Sequence, residues 1–162
     1  MTVQIRPAVE ADTAQILAIV APTLAAGETY AIARDLDDAG VLAYWLGPSH
    51  EVFVAEENGV ILGTYYLMAN QAGGGAHVAN CGYMTAPAAQ GKGIARAMCQ
   101  HSLTRAAERG FRAMQFNHVV STNTRAVALW QSLGFAIVGT LPKAFNHPVH
   151  GYVDSYVMFK TL

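Results

Sequence analysis

The sequence predicts one α/β domain with a mixed sheet of about seven strands flanked by about four helices. Three observations predict it. The 162 residues suit a single domain spanning 1–162. Hydrophobic residues make up 52% and charged residues 13%, which fills a core and excludes a disordered chain. The apolar pattern also switches between strand and helix periods, in the order strand, two helices, three strands, helix, strand, helix, two strands.

Thr2 to Arg6 alternates polar and apolar residues, as a first strand does. Asp12 is placed to cap the helix that follows, with Ile16, Ile19 and Val20 as its inner stripe. Asp37 or Asp38 is placed to cap a second helix ending near Gly47-Pro48, with Leu42, Trp45 and Leu46 inward. Val52 to Glu56 suits a strand, and Asn58-Gly59 is a strong hairpin signal leading into Val60 to Met68. The glycine-rich stretch 72–75 turns the chain into a strand over His77 to Thr85, which Pro87 ends. Ile94, Ala95, Met98, Cys99, Leu103 and Ala106 then fall at helical spacing until Gly110. Phe111 to His118 is a strand, and Thr124 to Leu133 a helix closed by Gly134. Strands over Phe135 to Thr140 and Tyr152 to Lys160 complete the chain.

Ten Lys and Arg against eleven Asp and Glu give a net charge of -1, without the basic excess that a nucleic-acid binder normally carries. Cys81 and Cys99 make neither a disulfide framework nor a metal spacing, and suit reduced, buried thiols in the cytoplasm. His147 and His150 lack a third ligand at matching spacing, so no metal is expected. The segment Met1 to Pro7 lacks the basic start and apolar stretch of a secretion signal. The window Ala14 to Ala26 is interrupted by Pro22 and is shorter than the roughly 18 residues that cross a bilayer. A soluble cytoplasmic protein without a membrane or nucleic-acid partner is expected. Its low charge density leaves apolar surface for a homodimer.

The most informative segment is Gln90-Gly91-Lys92-Gly93-Ile94-Ala95, between a strand and a long amphipathic helix. A helix N-terminus offers unpaired N–H groups and a partial positive charge to an anion. Gly91 and Gly93 let a diphosphate approach the main chain, and Lys92 adds a cation. A nucleotide P-loop fails, because Lys92 is followed by Gly93 and no glycine stands five residues before Gly91. A dinucleotide fingerprint fails at Arg96. The plain alternative is a glycine-rich turn into a surface helix.

The Gln-x-x-Gly-x-Ala pattern resembles the acetyl-coenzyme A signature of the GNAT N-acetyltransferases. The likeness extends over nearly the whole chain, through Asn123 and the block Leu129-Trp130-Gln131-Ser132-Leu133-Gly134-Phe135. That block is similar to the family's Leu-Tyr-x-x-x-Gly-Phe. A narrower likeness is carried by Ala79-Asn80-Cys81-Gly82-Tyr83, Gln115-Phe116-Asn117 and Ser121-Thr122-Asn123. These resemble the branch containing the yeast acetyltransferase that detoxifies proline analogues. The resemblance implies a single-domain fold with a mostly antiparallel sheet, acetyl-coenzyme A as cosubstrate, and direct acetyl transfer without a covalent enzyme intermediate.

Residue by residue, it implies that the coenzyme arm pairs with main-chain groups at Tyr83, Met84 and Thr85, and its diphosphate with Gln90 to Ala95. Asn123 and Trp130 contact the coenzyme. Asn123 has the alternative role of a plain N-cap. Asn80 and Asn117 face the acceptor, with Tyr83 as a further catalytic candidate; each also has a purely structural alternative. Trp130 stands where most relatives carry a tyrosine acid, and an indole N–H cannot transfer its proton near neutrality. Candidates for the base are His118, His77 or a water held by Asn80 and Asn117. The expected acceptor is the amine of a small molecule, such as an amino acid or proline analogue. Two alternatives stand beside it: a non-catalytic acyl-coenzyme A sensor, and acetylation of protein N-termini or lysines. The latter often needs an acidic groove, and no acidic cluster stands beyond Asp35, Asp37 and Asp38.

Overall fold

A seven-stranded sheet runs through the computed structural model, which describes residues 2–162. Strands β1 (Gln4–Pro7), β2 (Glu51–Glu57), β3 (Val60–Ala69), β4 (Val78–Thr85), β5 (Ala113–Val120), β6 (Ala136–His147) and β7 (Gly151–Thr161) lie in the order β1-β2-β3-β4-β5-β7-β6. Every neighbouring pair is antiparallel except β4 and β5. Helices α1 (Thr13–Ala26) and α2 (Asp38–Trp45) cover one face; α3 (Ile94–Glu108) and α4 (Thr124–Ser132) cover the other. Among the described residues no helix is long and apolar enough to cross a membrane.

Alternation along β2, β3 and β4 divides the core in two. Phe53, Tyr65, Leu67 and Cys81 pack toward α3 with Met98, Cys99 and Trp130. Val54, Tyr66 and Met84 pack toward α1 and α2 with Ile16, Ile19, Val20 and Trp45. Asn58 and Gly59 take positive φ values of 53° and 81° between β2 and β3, as a two-residue hairpin turn requires.

Several local expectations need correction. Asp12 stands at the N-cap of α1 but makes no side-chain cap bond there. Its carboxylate instead accepts from Arg6 at 2.8 and 2.9 Å and from the Val9 amide at 2.8 Å, tying β1 to the turn before the helix. Asp37, not Asp38, caps α2 by accepting from Gly40 N at 2.8 Å. Val41 and Trp45 are its buried residues, one turn apart, while Leu46 is exposed. Strand β6 continues past Thr140 to His147 through an irregularity between Leu141 and Phe145. Lys143 takes φ 51° there, and its amide donates to Asp154 Oδ1 at 2.9 Å. A strand signal broken by Pro142 does not show that pairing resumes beyond it.

The Arg6–Asp12 pair generates a stability prediction. Arg6 holds the Asp12 carboxyl below its ordinary range, so the stabilisation is fully present above the unfolded value of about 3.9 and is lost as pH falls through the folded value. Asp12→Asn is expected to cost about 1–3 kcal/mol in urea melts at pH 7. The difference between variant and wild type should shrink below pH 4, roughly. An equal difference at pH 7 and in acid would assign the loss to packing instead.

Candidate active site

Strands β4 and β5 pair at only two positions, Val78 with Ala113 and Ala79 with Met114, and then part. Asn80 stands at the point of parting, where its Nδ2 donates to the Gln115 carbonyl at 2.9 Å. The side-chain amide thereby engages a main-chain acceptor of β5 just beyond the end of the ladder. Beyond it opens a cleft of about 1130 Å³, reaching from α1 and α2 to the mouths of α3 and α4.

Period-two geometry determines which main-chain groups of β4 face the opening. Val78 O accepts from Asn70 and Ala86 N donates to Leu62, so even-numbered residues bond toward β3. His77 O accepts from Arg112, and Tyr83 O accepts from the Tyr30 hydroxyl at 2.8 Å, so odd-numbered residues face β5. Tyr83 and Thr85 thus turn main-chain groups toward the cleft. The main chain of Met84 lies on the β3 side, opposite Thr64, which corrects its expected place among the outward-facing groups. Its side chain lines the cleft.

At the start of α3, Gly91 and Gly93 hold φ at 77° and 79°. A methyl group on either α-carbon would project into open space. Among the described residues nothing accepts from the amides of Gly91, Gly93, Ile94, Ala95 and Arg96. Gln90, Gly91, Gly93, Ile94 and Ala95 line the cleft with these amides in a short run of chain. This cradle fits a diphosphate: its donors are backbone groups at a helix N-terminus, and no Cβ at 91 or 93 obstructs them. Lys92 is exposed and lies outside the lining; Arg96 and Arg125 bring the positive charge to that end. Arg96 is steadied by a bond of 3.0 Å to Ser132.

Asn123 precedes α4 and lines the cleft without making a side-chain cap bond, so the plain capping role is not realised. Trp130, 8% exposed, packs its ring 5.1 Å from both Tyr83 and Phe116. Its indole N–H has no partner among the described residues and is not sealed from solvent. Tyr83 needs correction as a catalytic group. Its hydroxyl lies 2.6 Å from Ser102 on α3, and burial pushes it well above the ordinary phenol range. The ring belongs to the core on the α3 side, while its carbonyl faces the cleft.

Asn117 lines the cleft in a chain of amides: it accepts from Gln115 Nε2 at 2.8 Å and donates to Asn70 Oδ1 at 2.6 Å. His77 is exposed and outside the cleft lining. His118 lines the cleft, with Nδ1 2.7 Å from Ser155 Oγ.

The acceptor side also carries Tyr30, Tyr44, His50 and Tyr66, which the sequence reading left out. Tyr30 lies in the connection between α1 and α2, and His50 follows Pro48-Ser49, where no periodicity marks them. Tyr66 lies in a strand apolar on both faces, so alternation does not single it out. His50 Nδ1 sits 2.9 Å from the Trp45 carbonyl and therefore carries the proton, leaving a lone pair on Nε2. Burial pushes the Cys81 and Cys99 thiols up to about 12 and about 11, keeping them protonated and poor nucleophiles near neutrality.

An α/β sheet that opens between its one parallel pair, above a glycine-lined helix mouth, defines an acyltransferase-like cleft. The chain belongs to the acetyltransferase (GNAT) family, whose model matches residues 18–135. It is 46% identical to a GCN5-related N-acetyltransferase from Kribbella flavida, with a TM-score of 0.94 over 99% of this chain and 98% of that one. It is 25% identical to a phosphinothricin acetyltransferase from Sinorhizobium meliloti, solved in complex with acetyl-coenzyme A, with a TM-score of 0.85 over 100% and 89% of the two chains. The N-acetyltransferase aca1 of Schizosaccharomyces pombe is 35% identical over 98 residues, which is 60% of this chain and 47% of that protein. The chain thus spans about half the length of this curated relative.

Burial pushes both His50 and His118 below the ordinary histidine value. Each therefore binds protons less readily folded than unfolded, and its contribution to stability is lost as pH falls from about 6.5 through the folded value. Ring resonances followed by NMR should titrate below that value for both. A midpoint above 6.5 for His50 would mean that its bond to the Trp45 carbonyl, which favours the charged ring, outweighs burial.

Proposed function

We propose that residues 1–162 act as one N-acetyltransferase domain that moves the acetyl group of acetyl-coenzyme A directly to the amine of a small molecule. The observation that carries this reading is the run of unpaired amides at Gly91, Gly93, Ile94, Ala95 and Arg96, opening into the parted strands. The acetyl-coenzyme A named in the complex of the 25% identical relative supports the same cosubstrate.

When bound, the coenzyme supplies an acetyl group activated as a thioester. The cradle amides hold its diphosphate, with Arg96 and Arg125 adding charge. The outward main-chain groups of Tyr83 and Thr85 line up the arm, and an N–H there polarises the carbonyl under attack, as oxyanion donors do. Asn123 offers its free side chain to the coenzyme. Trp130 offers an N–H donor to the sulfur but no proton, which suffices for a leaving thiol whose ordinary pKa is about 8.5.

The acceptor side supports a small, uncharged nucleophile. Glu28 is the one carboxylate in the lining, on an exposed connection. A peptide acceptor rich in lysine would lack acidic partners here. Asn80 and Asn117 are the amides closest in kind to acceptor ligands, and a water held between them relays the proton of the attacking amine to solvent or to His118, whose Nδ1 alone is bonded. The exposed apolar residues Val138, Leu141, Val149 and Tyr152 on and beside β6 support self-association of the domain.

Acetyl-coenzyme A-dependent thiol release across small amines and amino acids tests the reading; coenzyme binding without turnover on any amine would leave a sensor. Gly91→Val and Gly93→Val are expected to raise the Kd for coenzyme A about tenfold or more, or roughly 1.4 kcal/mol. Unchanged affinity in calorimetry would take the diphosphate away from this cradle. Trp130→Phe keeps an aromatic ring against Tyr83 and Phe116 and removes the N–H together with the five-membered half of the indole. It should lower kcat by about tenfold while the Kd for coenzyme A stays near wild type. An unaltered kcat would mean that the indole does no more than pack.

A further inference from the structure

Tyr66 on β3 stands directly across from Gly82 on β4, and its ring leans over that strand. A β-carbon at Gly82 would come within 2.5 Å of Tyr66 Cε2, 2.8 Å of Cζ and 3.0 Å of the hydroxyl oxygen. Gly82 is not among the glycines with positive φ, so its missing side chain serves this close approach rather than a turn. His50 stacks on the Tyr66 ring with centroids 3.9 Å apart and planes 3° apart. Trp45 meets the ring edge-on at 5.0 Å. The residue is 6% exposed, and its hydroxyl is thereby fixed above β4, on the α1–α2 side of the cleft.

The Tyr44 hydroxyl lies 2.9 Å from that of Tyr66, and both residues line the cleft. Two phenols carry two protons, and the bond between them uses one. Among the described residues no other group accepts the second. Burial raises both phenols above their ordinary range, so neither gives up its proton near neutrality. A largely buried O–H without an acceptor is costly unless a ligand or water supplies one. Asn80 lies on the same face of β4, two residues from Gly82, and its Nδ2 commits one N–H to Gln115 and leaves the other free. This corner therefore presents uncharged donors and no cation.

The geometry points to an oxygen-recognising subsite: the spare phenol proton of the Tyr44–Tyr66 pair binds a carbonyl or carboxylate oxygen borne beside the reacting amine, and so selects among acceptors. The inference rests on the proposed transfer to a small amine and names a feature that the favoured amine carries. Gly82 is part of the subsite, because any side chain there would push the Tyr66 ring off the strand.

The test uses acceptors matched in carbon skeleton: an amino acid, its amide, and the plain amine without the oxygen. The ratio of kcat/KM for each oxygen-bearing member to that for the plain amine is measured in wild type, Tyr66→Phe and the double variant Tyr44→Phe/Tyr66→Phe. Both variants keep the rings that hold the corner together. The ratio is expected to fall about tenfold or more in the double variant. Gly82→Ala, which displaces the ring but removes no hydroxyl, should lower it in the same direction. The amide arm separates a carbonyl from a carboxylate as the oxygen that is read. A ratio identical in wild type and double variant overturns the subsite. Equilibrium binding of the same acceptors to the coenzyme A-loaded protein gives the ratio without turnover. A binding preference that disappears in the double variant, with no acetylation by wild type, would sink the transfer reading and leave the subsite standing. No preference in wild-type binding would sink the subsite itself.

Discussion

The parting of β4 from β5 after two paired positions is the constraint from which the rest of the site follows. A parallel ladder that continued would bury the main-chain groups of Cys81, Tyr83 and Thr85 in ordinary sheet bonds. The Asn80 amide engages the Gln115 carbonyl where the ladder ends, so the strands can part without orphaning that acceptor. Tyr30 satisfies the Tyr83 carbonyl from outside the sheet. On the far side β5 stays anchored to β7, with its own irregularity between Phe116 and Val119. The opening is thus held on both walls by specific bonds.

That opening divides the chemistry between two kinds of group. Toward α3 and α4 the donors are largely main-chain amides, with glycine at the two positions where the backbone must take positive φ. Such a surface suits phosphate, whose recognition needs close N–H groups more than side-chain shape. Toward α1 and α2 the wall is made of side chains, chiefly Tyr30, Tyr44, Tyr66, His50 and Met68. Their positions depend on packing: Trp45 sits beneath Tyr66 and donates to Thr64 at 3.1 Å. Thr64 in turn donates to the Phe53 carbonyl at 2.8 Å. A generic carrier is held by backbone and a particular acceptor by side chains, which separates the part of the cleft that family members can share from the part that can differ.

This division also decides what was legible from the residues. The strand and helix order could be followed because each element has its own period and punctuation: Asn58-Gly59 at the hairpin, Pro87 after β4, Gly110 after α3. The cradle was legible because a local run of six residues encodes it. Asn80 was legible only as a residue, since its bond to Gln115 joins positions 35 apart. Tyr44 and Tyr66 are 22 apart and meet only after α2 packs across β3. Asp12 has the composition of a helix cap, yet the competing Arg6 guanidinium comes from a strand, and a charge-assisted pair outweighs a cap bond. Lys92 has the charge for the cradle but faces solvent, while Arg96, one turn on, has the reach. Spacing along a chain fixes local structure; it does not fix which of two nearby exposed cations lines the cleft.

The proton inventory of the cleft gives the last step. Alkylammonium groups hold their protons to a pKa of about 10, and a carboxylate near the nucleophile would raise that further. Here the acceptor wall offers phenols, amides and a neutral imidazole, and its one acid, Glu28, stands on an exposed connection. Desolvation without a counter-charge lowers the pKa of an entering ammonium and favours the free amine, the form that attacks a thioester. At the other end a thiol of ordinary acidity leaves without a dedicated acid, so an indole can stand at position 130. The features that first look like deficits, a tryptophan for a proton donor and cleft histidines that burial makes weak bases, are consistent with one strategy. Under the proposed transfer the site works by admitting the neutral nucleophile and holding it beside the carbonyl, and less by moving protons for it.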